Sequence, residues 1–112
     1  MGQSENGNIE YEILLHTKCE RELKKLRKRA APGLIKEIKE SLEGLKQNPD
    51  LGEELSQDLA GMRSIHLNKY QFRILYEKKD NPKRQVLVLK IGYRRDFYSD
   101  FAKYRELKDR TP

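Results

Sequence analysis

The sequence has little of what builds disulfides, metal centres or membrane spans. Its single cysteine, Cys19, cannot form an internal disulfide, and no group of cysteines and histidines has metal-ligand spacing. No apolar run approaches the roughly 20 residues of a membrane span, and no secretory signal peptide is visible. Gly-rich phosphate loops, zincin motifs and Ser-His-Asp arrangements are missing too. We therefore expect a cytoplasmic protein with no metal, no cofactor and no membrane contact.

Charge is what the sequence has in excess. Charged residues make up 38% of the 112 residues, where about a quarter is usual. The net charge of +6 is uneven, because residues 1–60 carry −2 and residues 61–112 carry +8. A basic C-terminal half suits a polyanion such as RNA, or an acidic protein partner. Charge alone does not choose between these two partners.

The first half of the chain reads as a strand followed by two helices. Residues 1–8 are polar and predict a flexible leader, with residues 9–112 forming a single domain. Alternating apolar residues over 9–15 predict a strand. The capping-box spacing of Thr17-Lys18-Cys19-Glu20 opens a helix, in which Cys19 is an ordinary helix residue. His16 is expected to be structural.

A second helix is predicted from Pro32 to the Asn48-Pro49 pair. Proline suits the first turn of a helix, and the residue before a proline disfavours helical geometry. Between these limits four apolar residues recur at helical spacing, and this stripe predicts a core-facing surface rather than a cofactor site. The stripe consists of Ile35, Ile38, Leu42 and Leu45.

The stretch from Leu59 to Tyr98 reads as two consecutive β-hairpins. In the first hairpin, alternation and a tight turn near Lys69-Tyr70 place His66 opposite Arg73 and Ser64 opposite Leu75. A slip by one residue would set core residues against polar ones, so the pattern itself fixes this register.

The second hairpin is predicted to pair Phe72–Lys78 with Gln85–Gly92. Pairing Glu77 with Val86 puts Lys90 beside Arg73, and Arg94 follows on the same face if the strand continues. Phe72, Ile74 and Leu89 would then face the helices. The opposite face would collect His66, Arg73, Lys90 and Arg94, with Tyr98 just beyond. For each basic residue, the alternative is a solvated strand residue with a buried stem. Asp96–Arg110 is amphipathic and predicts a short C-terminal helix.

This combination of residues resembles the RelE/ParE toxin superfamily. The resemblance covers residues 9 to about 104. It is carried by Leu59-Ala60-Gly61-Met62, by Phe72-Arg73-Ile74-Leu75-Tyr76, and by the stretch from Val86 to Tyr98 that contains Gly92-Tyr93-Arg94-Arg95. The implied fold is α+β with two layers: an N-terminal strand, a two-helix hairpin, a twisted antiparallel sheet of about three further strands, and a short C-terminal helix.

The resemblance also implies a function. RelE-like members are toxins of type II toxin–antitoxin systems that cleave mRNA on the ribosome, and a RelB-like antitoxin neutralises them. ParE-like members instead inhibit DNA gyrase and lack the nuclease residues. The leading interpretation is therefore a ribosome-dependent mRNA interferase, a metal-independent endoribonuclease. The alternative is a ParE-like gyrase inhibitor or an inactive binding protein of the same fold.

Site residues are carried over from the superfamily position by position. Arg73 would bind the scissile phosphate, Arg94 would help to hold it, and Tyr98 would stack on a base or transfer a proton. The basic strand residues of the superfamily fall at Ser64 and His66. Ser64 is a departure, because the best-known members have Lys there, and His66 replaces a second Lys. Further candidates for substrate binding are Lys90, Arg95 and Ser64.

The residue types suit cleavage of RNA by attack of the 2′-hydroxyl on the adjacent phosphate. That reaction needs a base near the hydroxyl, positive charge around the transition state, and an acid for the leaving oxygen. His66 titrates near neutral pH, and arginines offer forked donors that match phosphate oxygens. The alternatives are a surface histidine without a catalytic task at position 66, and a core tyrosine at position 98.

Overall fold

The computed structural model describes residues 10–94. The elements, in chain order, are β1 (Glu12–Leu15), α1 (Thr17–Arg29), α2 (Pro32–Gln47), β2 (Glu53–Glu54), β3 (Met62–Leu67), β4 (Phe72–Lys79) and β5 (Gln85–Tyr93). The predicted leader over residues 1–8 and the amphipathic segment Asp96–Arg110 lie outside the described residues.

The five strands form one mixed sheet in the order β1-β5-β4-β3-β2. The antiparallel pairing of β3, β4 and β5 confirms the predicted hairpins. β1 pairs in parallel with β5, so the sheet is not antiparallel throughout. β2 is a two-residue edge strand paired with β3, in a stretch where the sequence predicted only a connection. The two helices and this sheet give the expected α+β fold.

The start of α1 differs by one residue from the prediction. The N-cap is His16, whose Nδ1 accepts a hydrogen bond from the Lys18 backbone N–H at 3.2 Å, whereas Thr17 is the first helical residue. The predicted Thr17 capping box is therefore wrong, because a ring nitrogen of His16 already satisfies a free N–H of the first turn. His16 is structural, as expected. α2 begins at Pro32 and is capped by Asn48, which confirms its predicted limits.

The core lies between the helices and one face of the sheet. Ile38 and Leu45 are fully buried, and Ile35 and Leu42 pack against them at the edge of the core. Leu34 is also buried, although the predicted stripe omitted it. The sheet contributes the buried side chains of Ile65, Leu67, Phe72, Ile74, Tyr76, Val86, Val88 and Ile91.

The register of the first hairpin is as predicted, with His66 opposite Arg73 and Ser64 opposite Leu75. The register predicted for the second hairpin is wrong. Glu77 pairs with Leu87 rather than with Val86, and a β-bulge at Leu89 interrupts the ladder between the Tyr76–Val88 and Leu75–Lys90 pairs.

The bulge also corrects the predicted orientation of Leu89. Leu89 packs against Met62 and Leu75, on the face away from the helices. An extra residue in one strand reverses the alternation of the residues that follow it. Val86 and Val88 therefore face the helices before the bulge, and Ile91 does so after it.

Candidate functional site

The sheet face opposite the helices, called here the outer face, carries the site in two adjacent rows. Residues directly opposite each other on neighbouring strands project to the same face. One row crosses the sheet through Glu53, Ser64, Leu75 and Lys90. The next row crosses it through His66, Arg73 and Gly92.

Arg94 lies next to the second row, two residues after Gly92 and just beyond the end of β5. Its backbone N–H donates to the carbonyl oxygen of Gln71 at 2.6 Å, which ties it to the turn between β3 and β4. The positive charge of Arg94 acts on both His66 and Arg73. We call the five residues Glu53, His66, Arg73, Lys90 and Arg94 the charged cluster.

His66 is the titratable group best placed for proton transfer. Partial burial lowers the pKa of its imidazole below 6.5, the charges of Arg73 and Arg94 lower the pKa further, and Glu53 opposes them. A lowered pKa leaves the ring neutral at pH 7, and only the neutral ring can accept a proton. The Arg73 pKa is also lowered, by burial and by Arg94, but a guanidinium keeps its charge.

Lys90 reaches the outer face, but not at the position that the sequence predicted. It lies opposite Leu75, one row away from Arg73, because of the bulge at Leu89. Its side chain is 8% exposed. Its Cε lies 3.7 Å from the place that a Cβ on Gly92 would occupy, so the stem extends toward the row that contains Arg73.

Ser64 lies in the same row as Lys90, on the other side of Leu75. It is buried, and its hydroxyl oxygen has no hydrogen-bond partner in the part of the chain that the structure describes. A neutral hydroxyl supplies no charge, so Ser64 does not replace the lysine of the best-known superfamily members. In this row the positive charge comes from Lys90.

The part of the outer face around Met62 and Leu75 is apolar. Met62 and Leu75 are fully buried there, beneath Leu55, Leu59 and Leu89. Leu55 and Leu59 belong to the connection between β2 and β3, which folds back over the sheet. The charged cluster therefore lies beside a covered apolar patch rather than on an open, fully solvated surface.

Glu53 is the member of the charged cluster that sequence reasoning missed. It pairs with Ser64 from the edge strand, and its carboxylate raises the pKa of both His66 and Arg73. Residues 50–60 show neither strand alternation nor helical spacing, so the sequence offered no signal for this placement. Tyr98 and Arg95 lie outside the described residues.

The other candidate groups are not built for catalysis. Cys19 is 2% exposed, its Sγ–H donates to the Val88 carbonyl at 3.5 Å, and burial raises its pKa to about 12. A thiol in that state is a poor nucleophile.

Within residues 10–94, no group of three or more His, Cys, Asp or Glu side chains is arranged to hold a metal ion. None of the described helices is long and apolar enough to cross a membrane.

Comparison with known families identifies the relatives of this chain. A family described as the ParE toxin of type II toxin–antitoxin system, parDE, matches residues 13–98. The chain belongs to this toxin family. The predicted membership of the RelE/ParE superfamily is therefore confirmed. Among curated protein sequences, none matches the chain significantly.

Solved structures of toxins share the fold. A mutant of E. coli toxin RelE in the free state has a TM-score of 0.65 and 20% identity, covering 84% of this chain and 96% of that chain. The YoeB/ParE toxin from Agrobacterium tumefaciens has a TM-score of 0.63 and 16% identity, covering 73% and 97%. A YoeB–YefM complex from Staphylococcus aureus has a TM-score of 0.61 and 22% identity, covering 74% and 95%. These similarities establish the architecture.

Proposed function

We propose that this toxin-family protein is a ribosome-dependent mRNA endonuclease that acts in the cytoplasm without a metal ion. One observation carries the proposal: an imidazole with a lowered pKa, His66, lies directly opposite Arg73 and within the field of Arg94. A neutral base beside two fixed positive charges is the combination that metal-independent RNA cleavage needs.

In the proposed reaction, the neutral ring of His66 accepts the proton of the 2′-hydroxyl as that oxygen attacks the adjacent phosphorus. Arg73 and Arg94 stabilise the charge that develops on the phosphate oxygens. Lys90 adds a cation in the row where Ser64 supplies none. Tyr98 protonates the leaving 5′-oxygen or stacks on the neighbouring base. The products are a 2′,3′-cyclic phosphate and a 5′-hydroxyl.

A second candidate function follows from the family match, which is to ParE toxins. ParE-like members of the superfamily inhibit DNA gyrase and lack the nuclease residues. This chain keeps Arg73, Arg94 and a histidine at position 66, and these residues share one face of the sheet. Their convergence favours the nuclease over the gyrase inhibitor.

The proposed protein partner is a RelB-like antitoxin. The YoeB–YefM complex is a structural relative solved with a second protein, and the basic half of this chain suits an acidic segment that folds on binding. Such a segment would add a strand or a helix and mask basic surface. Co-purification of the protein with the product of a neighbouring small gene tests this proposal. Tolerated high expression with no such neighbouring gene would contradict it.

Primer extension on a translated mRNA, with and without ribosomes, separates the two candidate functions when it is run beside a gyrase supercoiling assay. We expect new 5′ ends of the mRNA only in the presence of ribosomes, and unchanged supercoiling. Inhibited supercoiling with intact mRNA would overturn the nuclease proposal in favour of the gyrase inhibitor.

A further inference from the structure

A buried tyrosine on the helix side of the sheet holds the segment that leads into β2. Tyr76 is completely buried. Its hydroxyl donates a hydrogen bond to the Pro49 carbonyl at 2.7 Å and accepts one from the Gly52 N–H at 2.8 Å. The same hydroxyl thus binds two backbone groups three residues apart, as a donor to one and as an acceptor from the other.

Gly52 fits tightly between Tyr76 and the neighbouring strand. A Cβ at this position would lie 2.9 Å from the Ser64 carbonyl oxygen and 2.9 Å from the Tyr76 hydroxyl. The Arg63 guanidinium secures the same segment from β3, because it donates to the Gly52 carbonyl at 2.8 Å and to the Asp50 carbonyl at 3.3 Å. Side chains from two strands therefore fix the position of Gly52.

The residue after Gly52 is Glu53, which pairs with Ser64 and projects to the outer face. β2 contains only two residues and lies at the edge of the sheet. Such a short strand has few backbone hydrogen bonds of its own, so its position depends on the contacts that hold its ends. At its N-terminal end, the Gly52 N–H is held by the Tyr76 hydroxyl and the Gly52 carbonyl is held by Arg63.

We infer that Tyr76 is a positioning residue, which holds β2 through Gly52 so that the Glu53 carboxylate lies beside His66 in the charged cluster. The consequence for catalysis rests on the proposed nuclease function. The placement of Glu53 does not, because it can be measured on the folded protein without any substrate.

The protonation of His66 reports where Glu53 lies. Among the described residues, three charged groups act on the imidazole: Glu53 from β2, Arg73 from β4, and Arg94 after β5. Of these, only Glu53 raises the pKa of His66. If Glu53 moves away while His66 stays partly buried, the pKa of His66 should therefore fall.

The test is an NMR titration of His66 in a double-mutant cycle of Tyr76→Phe and Glu53→Gln. The chain has two histidines, so His16 serves as an internal reference. Tyr11→Phe is the matched control, because it removes another tyrosine hydroxyl, which donates to Asp80 at the start of the β4–β5 loop.

We expect Tyr76→Phe to lower the pKa of His66, as Glu53→Gln does, and to have no further effect when Glu53 is already Gln. Tyr11→Phe should leave the pKa of His66 unchanged. An unchanged or raised pKa in Tyr76→Phe, or the same fall in the Glu53→Gln background, would overturn the inference.

Gly52→Ala is the second variant if Tyr76→Phe does not fold. It keeps the Tyr76 hydroxyl but pushes the segment away from Tyr76 and the Ser64 carbonyl, so the same fall in the pKa of His66 is expected. An unchanged pKa in a folded Gly52→Ala protein would also contradict the inference.

In cleavage assays, Tyr76→Phe should lower kcat more than it raises KM. If the wild-type protein does not cleave mRNA, the nuclease proposal is contradicted, whereas the result of the His66 titration remains valid.

Discussion

The two faces of the central sheet are built from the same three strands but have opposite chemistry. The face toward the helices carries Phe72, Ile74 and Val88, which are at most 1% exposed. The outer face carries half-buried His66 and Arg73 beside a small apolar patch. One face stabilises the fold, and the other holds charges next to each other at a cost in free energy. Substitutions on the face toward the helices should therefore mainly lower stability, and substitutions on the outer face should mainly lower activity.

The bulge at Leu89 lets one strand serve both faces. In an unbroken strand, Val86, Val88 and Lys90 would project to the same side. With the extra residue, both valines enter the core and Lys90 joins the charged cluster. The regular β3–β4 hairpin thus contributes His66 and Arg73, and the irregular hairpin contributes the cation that Ser64 does not supply. Bulges have such a role beside functional sites in other sheets.

The largest effect on stability is expected from a substitution in the core between the helices and the sheet. Ile38→Ala should lower the free energy of unfolding by about 2–5 kcal/mol, because Ile38 is completely buried and its loss leaves a cavity. Urea unfolding followed by circular dichroism measures it. Arg73→Ala, on the outer face, should cost well under half as much. Equal losses in the two variants would remove the distinction between the faces.

The largest effect on activity is expected at Arg73. Arg73→Ala should slow ribosome-dependent cleavage by about 10²–10³-fold, the usual loss on removing one group that stabilises transition-state charge. The matched control is Lys79→Ala, which removes another cation from β4, six residues away. Cleavage by Arg73→Ala at the rate of the control would show that the proposed site is wrong.

A smaller loss should follow from removing the cation that the bulge delivers. Lys90→Met keeps most of the buried stem but removes the charge, and it should slow cleavage by about 10-fold, in line with one charge-assisted hydrogen bond. Lys83→Met, in the exposed β4–β5 loop, is the control. If both variants cleave at the wild-type rate, Lys90 belongs to the structure and not to the site.

The sequence predicted the regular parts of the molecule better than the irregular ones. The His66–Arg73 register was predictable, because the polar and apolar residues of β3 and β4 alternate and a short turn joins the strands. The Lys90 register was not, because Val86-Leu87-Val88-Leu89 is apolar on both faces and no slip is visible in its pattern.

Long-range contacts explain what else the sequence did not reveal. Glu53 enters the site through the contact of Gly52 with Tyr76, 24 residues along the chain, which no local pattern records. The N-cap of α1 is His16 and not the predicted Thr17, because single hydrogen bonds set the ends of an element. The residue roles carried over from the superfamily remain predictions, and for Tyr98 and Arg95 the placement does too.

The most direct test of the charged cluster is the pH dependence of single-turnover mRNA cleavage on the ribosome, in the wild type and in His66→Gln. Because the pKa of His66 is lowered from 6.5 and the neutral ring is the base, the wild-type rate should rise with pH and level off below pH 6.5. His66→Gln should be slower and should lack this rise. The same acid limb in both proteins would show that His66 is not the base.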